Sequence, residues 1–97
     1  MSAEQLALKY ISSAERALNE LHIKREEARI DLDKIKEAVN CAKDYLKDAK
    51  YYNEKKEFEV SLTSVAYCEG LLDALRILGV VSFEWTPSKR RLTRTKQ

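Results

Sequence analysis

From Met1 to Thr86 the chain contains no proline, and its two glycines, Gly70 and Gly79, stand late in that run. Glycine and proline punctuate a fold by opening turns and breaking ladders, so a chain almost without them is committed to long uninterrupted helices. With 97 residues there is room for one small domain, which buries only about 60–70% of the surface its unfolded chain exposes. An enzyme of several domains is therefore not expected. No stretch approaches 18 consecutive apolar residues and the N-terminus lacks a basic-then-apolar leader, so the expectation is a cytoplasmic protein without a membrane span.

Three amphipathic segments follow from the spacing of apolar residues. Ser2 precedes Gln5 by three positions, the pattern of a capping box. Behind it Ala3, Ala7, Ile11, Ala14, Leu18 and Leu21 fall on one stripe, which predicts a helix over residues 2–21. A second helix is expected over 25–52, with Ala28, Ile35, Ala38, Ala42, Tyr45, Ala49 and Tyr52 facing inward. Its small residues admit a close neighbour, and pairs such as Asp33–Lys36 and Asp44–Lys47 suit a solvated face. Asn53-Glu54-Lys55-Lys56 reads as a tight connection. A third helix over 56–78 carries Phe58, Leu62, Val65, Cys68, Leu72 and Leu75 as its core stripe. Val60, Tyr67, Leu71 and Leu78 widen that arc beyond what one neighbour covers. Gly79 is its C-terminal stop. Beyond it, Phe83 and Trp85 should dock on the bundle while Glu84 stays wet. The expected fold is all-α: an up-down-up three-helix bundle over residues 1–86, a short extended aromatic segment and a disordered basic tail.

The net charge of +2 divides unevenly. Residues 87–97 hold five basic and no acidic groups, which leaves thirteen basic against sixteen acidic in residues 1–86, a net of −3. Lys89, Arg90, Arg91, Arg94 and Lys96 are the candidate contacts to nucleic-acid phosphates. Five cations give a salt slope of at most about −4.5 on duplex DNA, so such binding would be weak, independent of sequence and lost on truncation after Thr86.

Within the body, Asp48, Tyr67, Glu69, Asp73 and Arg76 form the candidate polar cluster. Arg76 at i+3 neutralises Asp73, and Asp48 accepts from Tyr67 or from a helix terminus. That structural reading outweighs a carboxylate site for a cation or for acid–base work, because buried carboxylates are costly unless paired. The single histidine, His22, and two cysteines without metal-binding spacing give no reason to expect a metal or cofactor. Cys41 and Cys68 fall on apolar faces as small hydrophobes. Gly70 interrupts the third helix at a cost of ~1 kcal/mol relative to alanine, and close contact with Ala42 or Ala49 would account for it.

Two blocks carry a family resemblance. Ala42-Lys43-Asp44-Tyr45-Leu46-Lys47-Asp48-Ala49 and Tyr67-Cys68-Glu69-Gly70-Leu71-Leu72-Asp73-Ala74, continued to Leu78-Gly79, resemble the archaeal "domain of unknown function 357" family, as does the aromatic end at Phe83 and Trp85. The resemblance implies a helical bundle in an archaeal cytoplasm and implies no activity. The same blocks resemble, more loosely, HEPN nucleotide-binding and ribonuclease domains. Those place Arg and His in the last helix, whereas here Arg16 and His22 fall at the first. The resulting expectation is a non-enzymatic helical interaction module, with a protein partner or a second copy of itself; weak nucleic-acid binding through the tail is the alternative.

Overall fold

A computed structural model describes residues 2–24 and 29–86. Three helices make up the fold: α1 (Ala3–Glu20), α2 (Leu32–Glu54) and α3 (Phe58–Ile77). The all-α class and the count of three helices are as the sequence implies, and no strand occurs among the described residues. The basic tail and Ala28 lie outside the described residues.

The starts of α1 and α2 each have a side-chain cap. At α1 the capping box is complete: Ser2 Oγ accepts from the Gln5 N–H at 3.1 Å, and Gln5 Oε1 accepts from the Ser2 N–H at 3.0 Å. The second helix begins at Leu32, not at residue 25. Asp31 is extended there, and its carboxylate accepts from the Lys34 N–H at 3.0 Å, making it an N-cap that ends the preceding non-helical segment. The surface ion pair on α2 joins Lys34 to Glu37 at 3.7 Å.

Helices α2 and α3 end in the same device. Gly79 takes a left-handed φ of 78°, and the N–H groups of Gly79 and Val80 donate to the carbonyls of Arg76 and Leu75. At the end of α2 the equivalent position is Lys56, with φ of 64°; the Lys56 and Glu57 N–H groups donate to Asn53 and Tyr52. The polar run at 53–56 is therefore half helix, half cap, and α3 starts at Phe58 instead of residue 56. A side chain in the left-handed region costs roughly 1–2 kcal/mol, which glycine avoids at some expense in unfolded-state entropy. Lys56→Gly should raise stability by about 0.5–1 kcal/mol in urea unfolding, whereas Gly79→Ala should lower it.

The close packing in the molecule lies between α2 and α3. Among the described residues, those buried are Ala42, Ala49, Cys68 and Leu75. Small side chains on α2 let the helices approach until Ser61 Oγ donates to the Ala49 carbonyl at 2.7 Å across the pair. Tyr45 and Tyr67 stack in the same antiparallel register, centroids 5.0 Å apart and planes within 13°. The inward row of α2 is the one its spacing predicts, with Ile35, Ala38, Tyr45 and Tyr52 half-buried beside the two alanines. On α3 the stripe is rotated. Val65, Cys68, Leu72 and Leu75 face α2, but Phe58 and Leu62 are exposed, and Ser61 takes the place expected of Leu62.

Helix α1 stands apart from this pair. It buries no residue, and none of its Cα atoms comes within 8 Å of α2 or α3. Its stripe is half alanine, so it offers little area for tight packing, and Leu18 stays 70% exposed.

Candidate functional site

The sequence-selected polar residues separate into three places. Asp73 and Arg76 pair on α3 at 2.8 Å, half-buried, and the Trp85 indole N–H donates to the same Asp73 oxygen at 3.4 Å. Phe83 lies with its ring 5.9 Å from the Arg76 guanidinium and meets Trp85 edge to face at 4.9 Å. Asp73 and Arg76 thus form a latch holding the aromatic segment over the end of α3, with Glu84 exposed as expected. Arg76 Nε is buried and has no hydrogen-bond partner among the described residues, so its charge is balanced through the Asp73 contact and the ring.

Tyr67 belongs instead to the stack with Tyr45, which replaces its expected bond to Asp48. Asp48 is exposed on α2, and Glu69 is half-buried beside Cys68. Among the described residues no three His, Cys, Asp or Glu side chains converge as a metal site would need. Arg16 is bonded to Glu20 at 3.5 Å on the open side of α1.

Both cysteines are free. Cys68 is buried, and burial pushes its thiol pKa up, with the neighbouring Glu69 carboxylate adding to the effect. Cys41 is exposed, a correction to its placement on an apolar inner face: the closely packed row of α2 runs through Ala42, and its neighbour turns outward.

Gly70 corrects the expectation of close contact with α2. It is exposed, and a Cβ added there would meet nothing within 4 Å. It lies in an open apolar groove of about 460 Å³ with Thr63, Ala66, Tyr67 and Leu71. A second groove, of about 600 Å³, runs between α1 and α3, bordered by Leu6 and Tyr10 on one side and Glu59, Val60, Thr63 and Tyr67 on the other. Along α3, Thr63, Ala66, Gly70, Ala74 and Ile77 are exposed, with the Glu59 carboxylate near Thr63 at the N-terminal end. The sequence reading expects a surplus apolar face on this helix, without naming Thr63 or Ala66 on it. Its signal was the over-wide apolar arc of the third segment.

A scan against protein families matches residues 9–81 to the family described as "Protein of unknown function (DUF357)". The chain belongs to the DUF357 family. The match reaches from Lys9 in α1 through the Gly79 cap, well before the Ala42 at which the motif resemblance begins, and it stops short of Phe83 and Trp85. Neither the search of curated proteins nor that of solved structures returned a match. For this DUF357 chain, no helix among the described residues is long and apolar enough to cross a membrane.

Proposed function

We propose that this chain is a non-enzymatic helical module of the cytoplasm that acts by contact and associates with itself. The observation that carries the reading is an apolar surface larger than the fold can cover. Leu18 on α1 and Leu62, Phe58 and Ile77 on α3 are each at least 59% exposed. A contiguous apolar patch of several hundred Å² on a small domain marks an interaction surface. The polar residues lean the same way: Asp73 and Arg76 neutralise one another and anchor Trp85, which is a structural role.

Sedimentation equilibrium over a wide concentration range tests the reading. The expected result is a reversible monomer–dimer equilibrium; a strict monomer throughout would refute self-association. A second reading, weak contact with nucleic-acid phosphates through Lys89, Arg90, Arg91, Arg94 and Lys96, rests on the segregation of charge between residues 1–86 and 87–97.

A further inference from the structure

We propose that α2 carries an interaction surface of its own, a row of four lysines that takes the sugar–phosphate backbone of a single-stranded nucleic acid. It stands apart from the self-association reading and does not need the basic tail.

The helix from Leu32 to Glu54 holds five basic and five acidic side chains, a net charge of zero. Around its axis the two signs are segregated. At about 100° per residue, Lys36, Lys43, Lys47 and Lys50 fall within an arc of about 60°. Asp33, Glu37, Asp44 and Asp48 fall within an arc of similar width, centred about 100° further round. All eight are exposed. The spacing of Asp33–Lys36 and Asp44–Lys47 permits ion pairs, yet neither closes: among the described residues no carboxylate lies within 4 Å of any of the four lysines. Lys34 lies outside the row and is paired with Glu37. Glu54 stands on the basic arc one turn beyond Lys50, and there the row ends.

The row runs about 21 Å along the axis, in steps of about 10, 6 and 4.5 Å. It is open, because α3 takes the alanine side of α2 and no Cα of α1 comes within 8 Å of α2. At the longest step, Lys36 and Lys43 line a shallow hollow of about 330 Å³ with Ile35, Val39 and Asn40. One sugar can settle there, against an Asn40 amide able both to donate and to accept. At the other end, Tyr51 follows Lys47 by one turn and is 54% exposed, with Lys55 Nζ 5.4 Å from its ring centre. Cations that track a backbone beside a ring on which a base stacks are the means by which proteins hold single strands.

Shape favours a strand over an anionic membrane. A lipid surface is a plane and would meet the acidic arc together with the basic one. A helix lying on a membrane also needs a free apolar face, and that of α2 is taken by α3, where Ala42 and Ala49 are buried. A single strand is a line of charge narrow enough to follow the lysines alone.

Fluorescence anisotropy of a labelled oligo(dT), titrated with the full chain across a range of salt, is the test. Each phosphate neutralised on a single strand contributes about −0.7 to the slope of log K against log salt, so the row supplies about −2.8. Lys43→Gln combined with Lys47→Gln should flatten the slope by about 1.4 and weaken binding about tenfold at low salt, with helical circular dichroism retained. Tyr51→Ala should weaken binding about fivefold or more and leave the slope alone, as loss of a stacked base does. Lys9→Gln combined with Lys34→Gln removes as much charge away from the row and should change neither. An unchanged slope in the Lys43/Lys47 variant, which leaves the tail as the contact, overturns the row. So does an equal effect of the two lysine pairs, and so does binding to phosphatidylserine vesicles through Lys43 and Lys47 with oligo(dT) left unbound. None of these outcomes bears on self-association, which sedimentation equilibrium reads separately.

Discussion

Leu75→Ala should lower the free energy of unfolding by about 2–4 kcal/mol, the largest loss from any single truncation in the molecule. Among the described residues Leu75 is the one large aliphatic side chain that is buried; the others below the surface are Ala42, Ala49 and Cys68. Truncation removes three carbons from the seam between α2 and α3, and helices already close together can collapse little further. A cavity term therefore adds to the lost transfer free energy. Small domains have on the order of 5 kcal/mol to lose, so the variant should melt far below the wild type and be partly unfolded at ambient temperature. Urea titration measures the change, with Ile23→Ala as the comparison. Ile23 is 80% exposed, and its truncation should stay within about 0.5 kcal/mol. If the two variants behaved alike, the α2–α3 seam would not be what holds the fold.

What the sequence made legible follows from which physical signals are local. A capping box or a left-handed glycine satisfies hydrogen bonds within a few residues, so Ser2 and Gln5, and Gly79, could be read directly. The inward row of α2 was also legible, because its outer face is charged and the 3.6-residue period has contrast. Helix α3 lacks that contrast. It is apolar around most of its circumference, so period alone could not say which side meets α2. Choosing the bulkiest residues pointed to Phe58 and Leu62, whereas close approach selected Ser61, whose hydroxyl reaches the Ala49 carbonyl. The same ambiguity turned Gly70 the wrong way.

For the polar cluster, the Asp73–Arg76 pair was legible from its i, i+3 spacing, because both partners sit on one helix. The indole of Trp85 completing it was not: that bond spans twelve positions and depends on how the chain leaves Gly79. Tyr67 was separated from Asp48 by a partner on another helix, Tyr45, which no spacing within α3 discloses. The start of α2 was hidden for a different reason. Asp31 stands in a charged run whose composition suits a helix as well as a cap.

Ala42→Leu should be nearly as damaging as the cavity, for the opposite reason. Leucine is almost as good a helix former as alanine, so on an exposed site the change would cost only tenths of a kcal/mol. Ala42, however, is 2% exposed, the least accessible residue described. Three added carbons have to force α2 away from α3 or take a strained rotamer, at about 1–3 kcal/mol. Separation should act on neighbours along the seam. The Ser61–Ala49 hydrogen bond, at 2.7 Å, and the Tyr45–Tyr67 stack, at 5.0 Å, both require the present helix spacing. The variant should thus lose tyrosine near-UV dichroism along with stability in urea. Ala38→Leu, at a half-buried site one turn away, should lose less of both. Because the exposed side chains of Leu18 on α1 and Ile77 on α3 lie off the α2–α3 seam, Ala42→Leu chains that remain folded should still associate in sedimentation equilibrium. Lost stability with retained association would divide the residues that build the fold from those that serve its contacts.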